Sequence, residues 1–185
     1  VNRDIFLRTL CLIAVNLFFT SAGGSQGAMM LAVNTLLMTM FTLFSYVMDG
    51  FAFAGEALSG KYYGARDLDG FGKMVRRLFG FGGVMVVAFT LVYALGGLGF
   101  LRMLTDDESV IMASRPYLPW VYLIPLTGVA AFIYDGVFIG LTETKGMLVT
   151  SVGAMTFFFL FYYLAWSSIG NNALWISFLL FLGLR

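Results

Sequence analysis

The chain has 185 residues, 60% of them hydrophobic and 11% charged, with a net charge of +1. A soluble domain is roughly 45–50% apolar and about 25% charged, so this composition excludes a water-soluble globule, and lipid must be the solvent over most of the chain. The near-neutral charge leaves no field to hold nucleic acid, and one cysteine, Cys11, and no histidine exclude disulfide frameworks and Cys- or His-built metal and triad chemistry.

A membrane-crossing helix needs about 20 mostly apolar residues. Six stretches qualify or nearly do, which predicts an all-α, polytopic bundle of six transmembrane helices within one domain, 1–185. The runs are solid rather than alternating, so a lipid-facing barrel does not fit, and helices satisfy their own backbone in hydrocarbon.

The first span runs from Ile5 to Ala22 and carries one polar candidate, Asn16. Its basic start resembles a signal peptide, but five more spans follow and no A-x-A-like site is present, so it reads as a true helix. The second span, Ala28 to Ala57, holds Asn34, Asp49 and Glu56 and is crowded with methionine. Flexible thioethers suit apolar ligands of varied shape, which makes Met30, Met38 and Met48 candidates for an apolar cavity wall; core or lipid-facing filler is the competing reading. Residues 58–80 mix Lys61, Arg66, Lys73, Arg76 and Arg77 with aromatics, and read as an amphipathic surface segment suited to anionic lipid heads.

The third span runs from Leu78 to Leu101. After it, Thr105 and Glu108 match a capping box with Asp106 and Asp107 beside them, so the next helix is predicted to start near Asp106, outside lipid. The fourth span, Tyr117 to Leu141, is predicted to be kinked by Pro116, Pro119 and Pro125. Such kinks occur where a transporter helix bends or lines a cavity; a static kink held by packing is the alternative. Gly136 and Gly140 form a GxxxG pair that permits close helix approach. The fifth span is Met147 to Ser167, and the sixth begins near Ala173 and is cut off at Arg185. That truncation, with Val1 in place of Met, predicts a piece of a longer protein.

The connections alternate in charge. Arg3, Arg8, Lys61, Arg66, Lys73, Arg76, Arg77, Lys145 and Arg185 fall on one side, and only Arg102 and Arg115 on the other. The positive-inside rule then predicts that both termini of the segment are cytoplasmic.

Three carboxylates fall inside spans: Asp49, Glu56 and Asp135. Each costs about 2.5–3.5 kcal/mol at mid-bilayer and is a functional hypothesis by default. Asp49 lies about 18 Å of helix before Lys61, and Asp135 about 15 Å before Lys145, so one polar cavity can hold both. Glu56 follows Asp49 by nearly two turns, on the same face. Asp49 and Asp135 are candidates to couple or gate by taking H+ or Na+; the alternative is a structural pair with a backbone or amide partner. Glu56 reads better as an interfacial group paired with Lys61 or Arg66. Asn16, Asn34 and Tyr134 are the polar candidates for the cavity, with interhelical bonding the competing reading for the asparagines.

The blocks DGFAFAGEALSGKYYGARD and YDGVFIGLTETKGM, with NRDIFLRTL and IGNNALWISFLLFLGLR at the two ends, resemble the carboxy-terminal half of MATE (multidrug and toxic compound extrusion) transporters of the DinF-like kind. That resemblance implies efflux of drugs or toxic organic compounds driven by H+ or Na+ entry. It implies two six-helix bundles facing each other across a cavity, with the amino-terminal bundle as the missing partner. It also implies a multi-pass protein of the plasma membrane, in bacteria the inner membrane, with no enzymatic activity and no cofactor beyond the coupling ion. By the same resemblance Asp135 stands where other family branches carry an ion-binding carboxylate.

Two other readings compete. A lipid-linked flippase of the same superfamily tends to hold basic residues in its cavity for a diphosphate, and here no Lys or Arg is predicted inside a span. An intramembrane aspartyl protease would use Tyr134-Asp135, but its GxGD half is missing.

Overall fold

A computed structural model describes residues 2–185, and among these every regular element is helical. The helices are α1 (Asn2–Ser25), α2 (Ala28–Gly64), α3 (Leu68–Leu104), α4 (Glu108–Ser114), α5 (Leu118–Gly140), α6 (Thr144–Ile169) and α7 (Asn171–Leu184). Among the described residues five helices are long and apolar enough to cross a membrane, α4 and α5 counting as one, while α7 is a shorter apolar helix. At 14 residues α7 is about 21 Å long, shorter than the roughly 30 Å hydrocarbon layer. The polytopic helical fold is as expected; the predicted sixth span corresponds to this short, largely buried helix, so among the described residues five helices, not six, reach spanning length.

Short turns make neighbours antiparallel. Gly27 and Gly170, both with positive φ, break α1 from α2 and α6 from α7. The other two tight connections share one design. After α2 the Asp67 N–H donates to the Tyr62 carbonyl and the Arg66 N–H to that of Tyr63; after α5 Glu143 and Thr142 do the same to Phe138 and Ile139. These are helix-ending turns with one left-handed residue, Arg66 or Thr142, where glycine is usual. Residues 58–80 are therefore no separate surface segment. Two 37-residue helices, each about 55 Å long, run past the hydrocarbon and meet at this turn.

The α3–α4 connection departs from the predicted box. Asp107, not Thr105, caps α4, accepting from the N–H groups of Ser109 and Val110. The Ser109 hydrogen bonds hold the exposed Asp107 carboxyl below the usual carboxylate range. Of the three prolines only Pro125 lies inside α5. Pro116 sits in a single 3-10 turn, Arg115–Tyr117, and Pro119 in the first turn of α5, where the missing N–H costs nothing. They start a helix rather than kink one.

The core is aromatic. Phe19, Phe44, Phe158, Trp175, Phe178 and Phe181 are almost fully buried, and their rings meet edge to face, as Phe19 does with Trp175 at 5.0 Å. The tightest helix contact is between α2 and α5. A Cβ at Gly136 would collide with the Ala52 carbonyl, and one at Gly140 with that of Glu56. The GxxxG pair thus serves backbone-to-backbone approach, which only glycine allows. This contact sets α2 and α5, the two helices that carry span acids, side by side.

Candidate functional site

The face of α2 formed by Phe41, Ser45, Asp49, Ala52, Phe53 and Glu56 repeats at three- and four-residue intervals, one stripe of the helix. Opposite it α5 presents Phe132, Asp135, Gly136 and Ile139, α1 presents Arg8, Leu12 and Asn16, and α7 presents Phe178, Phe181, Leu182 and Arg185. Together they enclose a cavity of about 330 Å³. Asp49 and Asp135, which the sequence places at similar depth, thus line one space with Glu56, and Asn16 joins them.

Its centre is ionic. Asp135 is 7% exposed, and one oxygen, Oδ2, accepts from an Nη2 of both Arg8 and Arg185. Both arginine side chains are deeply buried, at 14% and 7% exposure. The Arg185 guanidinium also lies 5.6 Å from the centre of the Phe132 ring, close enough for a cation–π contact. Asp49 is half-buried and within electrostatic reach of Arg8, Arg185 and Asp135. Glu56 is half-buried and forms no ion pair with Lys61 or Arg66 among the described residues. It faces the cavity instead of the interface.

The basic pair corrects the expectation that no Lys or Arg sits within a span, which the bounds of the first span, Ile5 to Ala22, already contradict at Arg8. Arg8 lies two turns into α1, and Arg185 follows α7. From the sequence both look like charges flanking a membrane segment. The signal that separates them from true flanking residues is a buried acid at matching depth on another helix, which makes burial of a guanidinium tolerable. Asp4, in the first turn of α1, is also buried, and Thr144 Oγ1 donates to it at 3.1 Å.

Five other candidates lie elsewhere. Asn34 is buried at the opposite end of α2, where Asn34 and Asn171 exchange amide hydrogen bonds of 2.9 Å and Trp175 Nε1 donates to Asn34 Oδ1 at 3.0 Å. It binds helices together and faces no cavity. Tyr134 is 45% exposed and lies against Phe79, ring centres 5.2 Å apart, because one residue from Asp135 is about 100° around the helix. Met48 is fully buried in the core, and Met30 and Met38 are half-buried against it. None of the three reaches the charged cavity, whose apolar wall is phenylalanine and aliphatic side chains.

The fold and the cavity define a multi-pass helical membrane protein organised around buried, mutually compensating charges. The chain belongs to the MatE family, which it matches over residues 5–164. It is 37% identical over 186 residues to DNA damage-inducible protein F of Escherichia coli (strain K12), covering 100% of this chain and 40% of that protein. It is 25% identical over 182 residues to Protein DETOXIFICATION 45, chloroplastic, of Arabidopsis thaliana (96% and 32% covered). To Protein DETOXIFICATION 42 of the same plant it is 26% identical over 193 residues (99% and 36% covered). The chain therefore spans about a third to two fifths of the length of these curated relatives.

Proposed function

We propose that this chain forms one bundle of a secondary antiporter of the plasma membrane, which exports organic compounds in exchange for H+ or Na+. The amino-terminal bundle of the same transporter faces it, and both termini of the segment are cytoplasmic. One observation carries the reading: three carboxylates and two guanidiniums line a single cavity among apolar helices. With all five ionised, the cavity holds one negative charge in excess. A proton, a sodium ion or a positively charged organic group each cancels that charge, and two at once overshoot it. Mutual exclusion of this kind is what antiport requires, and the bundles then rock to alternate access. Family membership and the partial coverage of the relatives both support a half-transporter.

Asp49 is the acid to test first, because it makes no direct salt bridge among the described residues. Asp49→Asn in the full-length protein is expected to cut proton-coupled dye efflux from vesicles by at least about tenfold, a loss of roughly 1.4 kcal/mol in coupling. Unchanged efflux in both Asp49→Asn and Asp135→Asn overturns the site.

Arg8 and Arg185 favour a second reading, a flippase for lipid-linked diphosphates, since guanidiniums bind phosphate well. Its weight is limited because both already bond to Asp135 and the cavity keeps excess negative charge. Saturable binding of a lipid-linked diphosphate to the purified full-length protein, abolished in Arg8→Gln, would reverse the order of the two readings.

A further inference from the structure

A second recess, of about 390 Å³, lies between the converging ends of α2 and α3. Leu58 and Tyr62 form its α2 wall; Lys73, Arg77, Leu78 and Phe81 form its α3 wall. Lys73, Arg77 and Phe81 stand at four-residue intervals, one line down the helix. Along that line the chemistry changes abruptly. From Leu78 to Leu101 the chain has 24 residues without a charge, about 36 Å of helix, enough to cross the roughly 30 Å hydrocarbon layer. Arg77 therefore stands at the headgroup level, Lys73 one turn into water and Phe81 one turn into oil.

The charge at this level is one-sided. Between residues 58 and 81 five residues are basic and two, Asp67 and Asp69, are acidic, on a chain whose whole net charge is +1. Asp67 is occupied in capping α3, accepting from the Gly70 N–H at 2.8 Å. Asp69 holds Lys73 at 2.9 Å, both side chains well exposed. Arg77 has no ion pair among the described residues. At one side of the recess the Tyr62 ring packs closely on Gly70, where a Cβ would meet it at 2.6 Å.

We infer that this recess is a seat for one anionic phospholipid, its phosphate on Arg77 and Lys73 and an acyl chain along Leu78, Phe81 and Leu58. A free anion would use the basic pair but gain nothing from the apolar lower half, which is exposed where Phe81 is 64% accessible. A neutral lipid would fill the lower half and leave Arg77, the recess cation without an ion pair among the described residues, uncompensated. An anionic lipid satisfies both, and this site is separate from the charged cavity.

The test is native mass spectrometry of the full-length protein in detergent, titrated with phosphatidylglycerol or phosphatidylcholine. Phosphatidylglycerol is expected to stay bound and phosphatidylcholine to leave. Lys73→Gln with Arg77→Gln should weaken retention roughly 30-fold, the loss of two basic contacts at a lipid surface. Arg66→Gln with Arg76→Gln removes the same charge outside the recess and should weaken it far less. Equal losses in the two double variants would show general surface attraction and overturn the seat. Displacement by equimolar inorganic phosphate would overturn the lipid assignment, and wild-type retention in Lys73→Gln/Arg77→Gln would overturn the site altogether.

Discussion

α2 carries two buried polar clusters. Near its start Asn34 meets Asn171 and Trp175; fifteen residues later, about 22 Å along the helix, Asp49 faces Asp135, Arg8 and Arg185. α7 reaches both, with Asn171 and Trp175 at one end and Arg185 at the other. The first cluster is neutral and closed: two amides exchange hydrogen bonds, Gln26 adds a third at 3.1 Å, and the indole takes the remaining acceptor. The second is charged, lines open space, and has one acid, Asp49, outside the direct salt bridges. A closed set of neutral bonds can only hold helices together. A set of charges around a void can change its occupant.

The largest effect should follow from breaking the charged cluster. Asp135→Asn leaves two guanidiniums without their acid, and losing one partner of a buried pair costs about 3–5 kcal/mol. The thermal midpoint of the purified full-length protein should fall accordingly. Replacing all three groups by apolar ones (Arg8→Met, Asp135→Leu, Arg185→Met) should recover most of the midpoint while efflux stays lost. A triple variant no steadier than Asp135→Asn would mean that the ions do not hold α1, α5 and α7 together.

Asn34→Ala should cost less, about 1–3 kcal/mol, by leaving the Asn171 amide and the Trp175 N–H short of partners. Efflux per folded molecule and its pH dependence should not move. A shifted pH profile would place Asn34 in the exchange machinery and erase the contrast between the clusters.

Asp107, outside both clusters, gives the smallest effect and a control. Its carboxyl is held below the usual range by Ser109, so its contribution is present above the ordinary carboxylate pKa and is lost as pH falls through the lowered one. The midpoint difference between wild type and Asp107→Ala should be steady near neutrality and vanish in acid. A difference that persists in acid would trace to helix propensity instead of the charge.

Helix identity was legible because the apolar runs are long and the breaks are glycines and charges. The shared depth of Asp49 and Asp135 was legible too, since helical rise converts residue count into distance. Arg8 and Arg185 were not, because near a span's end a basic residue has the same appearance whether it reaches water or turns inward to an acid. Asn34 was ambiguous for a related reason. Its partners, Asn171 and Trp175, lie more than 130 residues away, and nothing local marks which polar group will find a mate. The prolines misled because their effect depends on whether they fall in a helix's first turn or its middle.

The glycine contact between α2 and α5 limits what can move. With carbonyls of Ala52 and Glu56 pressed against Gly136 and Gly140, neither helix can slide without a steric clash, so Asp49 and Asp135 travel as one rigid plank. Any rearrangement of the cavity must then come from the arginine bearers, α1 and α7, shifting against that plank.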